Sequence, residues 1–175
     1  MSSEYPPDVR RVADILRELG LRVYLIGARS LIVHGVDINR ATKDWDLAID
    51  VGFTRELRDE VTERLRREGF RVQWRKWGLL VEGEVHVDVN YAPLIVDEEF
   101  RARAREAGGL LVPSLEDIIV LKLMSGERKD IGDVKRIIAQ RGGELDWEYL
   151  MRRARQAGLE RELGKIAARM GVRLG

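Results

Sequence analysis

The sequence predicts an α/β fold: a mixed, mostly antiparallel sheet of about five strands with helices packed on one face, then a helical C-terminal region. Three observations predict it. Short apolar or alternating runs recur at residues 22–26, 47–49, 70–74, 79–82 and 85–90, bounded by Gly, Asp or Asn. Stretches with three-and-four apolar spacing lie before and between them. Beyond Gly108 and Gly109 the pattern becomes mainly helical, placing the expected division between a domain of residues 1–108 and a helical region of residues 109–175 packed on it.

Each element follows from its residues. Pro6 and Pro7 precede Val9, Val12, Ile15, Leu16 and Leu19, an apolar helical stripe that stops at Gly20. Arg22 to Ile26 reads as the first strand. It ends at Gly27 and turns through Ala28, Arg29 and Ser30 into a short helix bearing Leu31, Ile32 and Val33. His34 precedes Gly35 and suits a helix end better than a catalytic base. A polar loop then carries Arg40, Thr42 and Lys43 to the second strand. Thr54 can cap a helix built on Leu57, Val61 and Leu65. Three strands follow, the last two joined through Gly83. Asp97 to Ala107 reads as a charged helix, and Ser114 with Asp117 caps the next, built on Ile118, Ile119, Leu121 and Leu123. Amphipathic helices over about residues 147–157 and 160–170 close the chain.

The chemistry concentrates between Tyr24 and Asp50. Asp44 and Asp46 flank Trp45, and residues two apart on a strand project from one face, roughly 6 to 7 Å apart along the chain. Like charges that close raise one another's pKa unless a cation neutralises them, so the pair invites a divalent metal. Val85, Val87 and Val89 alternate inward and leave His86, Asp88 and Asn90 on the opposite face, with Asp88 free to reach a site. The turn before them can aim backbone N–H groups at an anion. Without cysteine, thiolate metal sites are excluded, and with only His34 and His86 a histidine-rich site is not expected, leaving hard oxygen ligands.

The ordered set Gly27, Ala28, Ser30, Gly35, Arg40, Thr42, Asp44, Asp46 and Asp88 resembles the nucleotidyltransferase superfamily with the DNA polymerase beta-like fold. The resemblance implies a sheet of that type, a phosphate turn at Gly27 and Ser30, and a metal and catalytic triad of Asp44, Asp46 and Asp88. Ala28 departs from the pattern, because that position usually carries Gly or Ser. Farther on, Lys122 followed by Lys129, Asp130 and Asp133 resembles toxin-type nucleotidyltransferases in sequence order. This implies that Lys122 and Lys129 lie near the nucleotide, as Arg40 and Lys43 would from the polar loop. Lys122, within an apolar run, either snorkels to water or meets a buried acid or a phosphate. Asp130 and Asp133 could equally cap their helix.

The expected function is therefore magnesium-dependent transfer of a nucleoside monophosphate from a nucleoside triphosphate to an acceptor hydroxyl, with two ions and release of pyrophosphate. The acceptor could be RNA, a protein or a small molecule. A non-catalytic antitoxin or scaffold of the same fold, binding a partner protein within a toxin–antitoxin pair, is an alternative that Ala28 favours. A metal-dependent phosphohydrolase is another. No apolar run approaches the ~20 residues that span a bilayer, and MSSEYPPD lacks a signal-peptide core, so no membrane partner and a cytoplasmic location are expected. Net charge is +1, but residues 1–100 carry 15 Lys and Arg against 19 Asp and Glu, and the remainder 16 against 11. An acidic half for metal and a basic half for phosphate would suit phosphoryl transfer, although solvated helix faces give the same count. The scarcity of Asn and Gln beside abundant charge suits a thermophile, or an Arg-rich genome equally well.

Overall fold

The computed structural model describes residues 5–91 and 96–174. The chain runs α1 (Pro7–Glu18), β1 (Val23–Ile26), α2 (Gly27–Val33), β2 (Trp45–Ile49), α3 (Arg55–Arg67), β3 (Arg71–Arg75), β4 (Gly78–Glu82), β5 (His86–Asn90), α4 (Glu98–Arg103), β6 (Arg105–Ala107), β7 (Leu110–Val112), α5 (Leu115–Ser125), α6 (Arg128–Arg141), α7 (Trp147–Gln156) and α8 (Glu160–Arg169). The sheet order is β3-β4-β5-β2-β1-β7-β6. Four of its neighbouring pairs are antiparallel, while β2 with β5 and β1 with β7 run parallel.

The mixed, mostly antiparallel α/β architecture is as expected, with two differences. Among the described residues the sheet has seven strands rather than five, because Arg105–Ala107 is a strand and not the end of a helix, and it pairs with Leu110–Val112. Ala104 leaves α4 with an extended ψ of 150°, and Gly108 and Gly109 take φ of +61° and +89°, the positive pair a two-residue hairpin turn demands. The expected division after Gly108 falls inside this hairpin, and β7 joins the sheet beside β1. Helices also cover both faces rather than one. Val23, Leu25, Leu47, Ile49, Val87 and Val89 pack with α1 and α3 in one core. Tyr24 and Ala48 face the other core, shared with α2, Phe100 and helices α5 to α8.

Local signals hold where they were strong. Thr54 accepts the Leu57 N–H at 3.2 Å and Ser114 accepts that of Asp117 at 3.1 Å, each satisfying a helix-start donor. A two-residue turn at Lys76 and Trp77 joins β3 to β4, and Gly83 to Val85 joins β4 to β5. Among the described residues no helix is long and apolar enough to cross a membrane.

Candidate active site

The strand register brings the acids together. In the antiparallel pair of β1 and β2, Ile26 faces Asp46; in the parallel pair of β2 and β5, Asp46 faces Asp88. Asp44 lies just before β2, on the same side as Asp46 by strand alternation. All three line one cleft of about 330 Å³, with Ile26, Ile118 and Leu121 supplying its apolar wall. A second lobe of about 390 Å³ shares Gly27, Asp44, Asp46, Lys122 and Lys129 with it and extends past Ala28, Arg40 and Lys43. Every predicted site residue except Ser30 therefore lines one lobe or the other.

Gly27 is required for two reasons. Its φ is +68°, and a Cβ there would stand 2.5 Å from Asp46 Oδ2. The turn and the acid thus abut. Ser30 is fully buried, and its hydroxyl donates to the Gly27 carbonyl at 2.6 Å, so it braces the turn from inside instead of facing the cleft. Ala28 belongs to the buried core as well as the second lobe. Arg29 donates from Nη2 to the Thr42 carbonyl at 2.8 Å and lies 4.3 Å from the Trp45 ring centroid. That contact ties the turn to the loop delivering Asp44.

The acids disturb one another. Burial, then Asp88 and Asp44, pushes Asp46 up to about 6. Burial also raises Asp88, partly offset by His86, whose Nε2 lies 3.0 Å from Asp88 Oδ1. Sequence reasoning placed His86 on this face but gave it no role; its i, i+2 spacing from Asp88 on a strand was the available signal.

The cations divide into two groups. Lys122 is 4% exposed, with Nζ 3.1 Å from Asp130 and 2.9 Å from Asp133. Arg40 holds Asp133 with two donors at 3.3 and 2.7 Å. Burial would push Asp133 up, but Arg40 and Lys122 outweigh it and hold this carboxyl below its ordinary range. Lys122 has thus met buried acids, and neither Asp130 nor Asp133 caps α6, whose N-cap Glu127 makes no side-chain capping bond. Lys129 is exposed beside Glu127 at 3.6 Å. Lys43 is exposed and makes no ion pair among the described residues.

Among the described residues no three His, Asp or Glu side chains are gathered closely enough to enclose a metal ion. The donor set nonetheless has the right chemistry. Carboxylates that share a cleft, with Asp46 pushed up by burial and then by Asp88 and Asp44, offer hard oxygens that a divalent cation would neutralise.

This fold has solved counterparts. The antibiotic-resistance factor ANT(2'')-Ia, in its solution structure, matches with a TM-score of 0.56 at 20% identity over 90% of this chain and 95% of that one. Its complex with adenylyl-2''-tobramycin gives 0.54 at 19% identity, over 85% and 95%. JHP933 from Helicobacter pylori gives 0.52 at 16% identity, over 91% and 74%. At these identities the likeness concerns the fold alone. A comparison with curated proteins finds no significant match. The model of one family, described as nucleotidyltransferase of unknown function (DUF6036), matches residues 9–163, so the chain belongs to that family.

Proposed function

We propose that this chain transfers a nucleoside monophosphate from a nucleoside triphosphate to an acceptor hydroxyl, with magnesium held by Asp44, Asp46 and Asp88. The observation that carries the reading is the position of Asp46, which abuts the glycine turn on one side and Asp88 on the other. A triphosphate laid against Gly27 and Ala28 would have its reacting phosphorus beside the aspartates. Lys43 and Lys129 are the cations best able to meet its oxygens, because among the described residues neither is engaged by a buried acid. Lys122 and Arg40 act behind them, fixing α5, α6 and the polar loop through Asp133.

In the reaction, the acceptor oxygen forms a bond to the α-phosphorus as the bond to pyrophosphate breaks, and pyrophosphate leaves with the electron pair. The hydroxyl proton passes to the Asp88 carboxylate, oriented by His86, and then to water. When bound, the two ions supply charge neutralisation for the attacking and leaving oxygens. Ile118 and Leu121 offer the base an apolar surface.

Calorimetry with each nucleoside triphosphate and magnesium, followed by mass spectrometry of candidate acceptors, tests this reading. Magnesium-dependent binding and a mass gain equal to one nucleotide are expected. A folded protein that binds no triphosphate would leave the scaffold or antitoxin reading in its place.

A further inference from the structure

A second depression meets the aspartate cleft from the α1 side of the sheet. It is an open groove of about 820 Å³, and it shares Thr42 and Lys43 with the second lobe of the cleft. His86 lines it too, and the same imidazole contacts Asp88. The groove therefore reaches the imidazole that contacts the carboxylate proposed to receive the acceptor's proton.

Its lining has one dominant charge. Among the described residues that line it, Arg10 from α1, Arg29 from α2 and Lys43 from the polar loop stand beside one acid, Glu84. Arg29 is set in place by its Trp45 and Thr42 contacts, while Arg10, Lys43 and Glu84 are exposed. A polyamine acceptor would meet like charge here. So open a groove leaves a small ligand largely in water, whereas specific small-molecule pockets bury 70–90% or so of their ligand. A chain of phosphates differs, because many solvent-exposed charge contacts release counterions together. The aromatic side chains are walls rather than platforms: Trp45 is 7% exposed and Tyr5 3%. Base stacking is thus unavailable, and recognition rests on the backbone.

We infer that this groove holds the phosphodiester backbone of a single-stranded polynucleotide, presenting its terminal hydroxyl at Asp88 as the acceptor. The inference rests on the nucleotidyl-transfer reading for the role of that hydroxyl, but strand binding is measurable by itself. It is independent of base sequence and steeply dependent on salt.

Fluorescence anisotropy with a labelled single-stranded RNA of about 12 nucleotides, and DNA of the same sequence, tests it across a salt series. Three contacts give a slope of log K against log salt near −2, at roughly −0.7 per contact. Arg10→Ala should weaken binding by about 3- to 10-fold and reduce the slope by about 0.7. Glu84→Gln should tighten it a few-fold, and Arg155→Glu, on the distant α7 surface, should change nothing. Undetectable binding by the wild type overturns the inference, as does an Arg10→Ala protein that binds like wild type, or an equal loss from Arg155→Glu. Triphosphate calorimetry on the wild type separates the two readings. Strand binding without triphosphate binding supports the groove and removes the transfer, while triphosphate binding without strand binding removes the groove alone.

Discussion

Asp46, at the end of the sheet, and Asp133, on α6 across the cleft, are both largely removed from water, yet their carboxyls are displaced in opposite directions. Burial pushes Asp46 up to about 6, and its neighbours Asp88 and Asp44 add to the effect. Burial acts on Asp133 too, but Arg40 and Lys122 overcome it and hold that carboxyl low. Around Asp46, burial and acids outweigh Lys129 and Lys122; around Asp133, cations outweigh burial. The difference teaches how to separate a site from a strut behind it: a carboxylate left short of cations awaits one, while a compensated one holds helices and loops together.

The largest way to break this comparison is Asp133→Ala. It leaves Lys122 with Asp130 alone and releases Arg40, so a loss of about 3 kcal/mol is expected in urea unfolding. A loss under 1 kcal/mol or so would mean that Asp133 is no strut. Gly27→Val comes next, since a branched side chain meets the Asp46 carboxylate at a positive φ. Strain of about 1 to 3 kcal/mol and complete loss of triphosphate binding are expected; retained binding in calorimetry would detach the turn from the phosphates.

Asp46→Asn should act in the reverse sense to Asp133→Ala. In metal-free buffer above pH 6 it relieves a buried, repelled charge, so the melting point should rise, by roughly 1 to 2 kcal/mol of added stability, while metal affinity disappears. A lower melting point would make Asp46 structural. The sign of the pH dependence follows. Because the folded value of Asp46, about 6, lies above the ordinary value of 3.8, its contribution is fully present below the ordinary value and fades as pH rises through 6. Wild-type thermal melts without metal should show this loss, and Asp46→Asn should flatten it. Magnesium affinity should climb over the same window as the proton leaves.

Ala28→Ser is the smallest change. It restores the hydroxyl found at that position of the resembled family, beside a buried core, and should shift triphosphate affinity by no more than about 1 kcal/mol in calorimetry. A gain far beyond that would show that Ala28 limits this protein's binding.

Much of this was legible along the chain. The Val85, Val87, Val89 alternation put Asp88 on the face it occupies, and the break at Gly27 marked the turn. β6 and β7 were not legible as a pair. Three-residue strands carry almost no periodicity, and their pairing with each other and with β1 is stabilised by contacts that local sequence does not contain. Arg40 and Lys122 looked like phosphate ligands because a cation near a phosphate site reads the same whether or not an acid waits for it. Ser30 looked like one too, since a hydroxyl's direction in a turn depends on the turn's own geometry.

What the sequence by itself determined was the α/β order of elements, the turn at Gly27 and the shared face of Asp44 and Asp46. Strand alternation and glycine's backbone freedom act over a few residues and need no partner. Only the tertiary structure decided that Asp46 lies opposite Asp88, that Asp133 takes Arg40 from 93 positions away, and that among the described residues no buried acid holds Lys43 or Lys129. Compensation of charge depends on distance and desolvation in space, and the chain sets these only by folding.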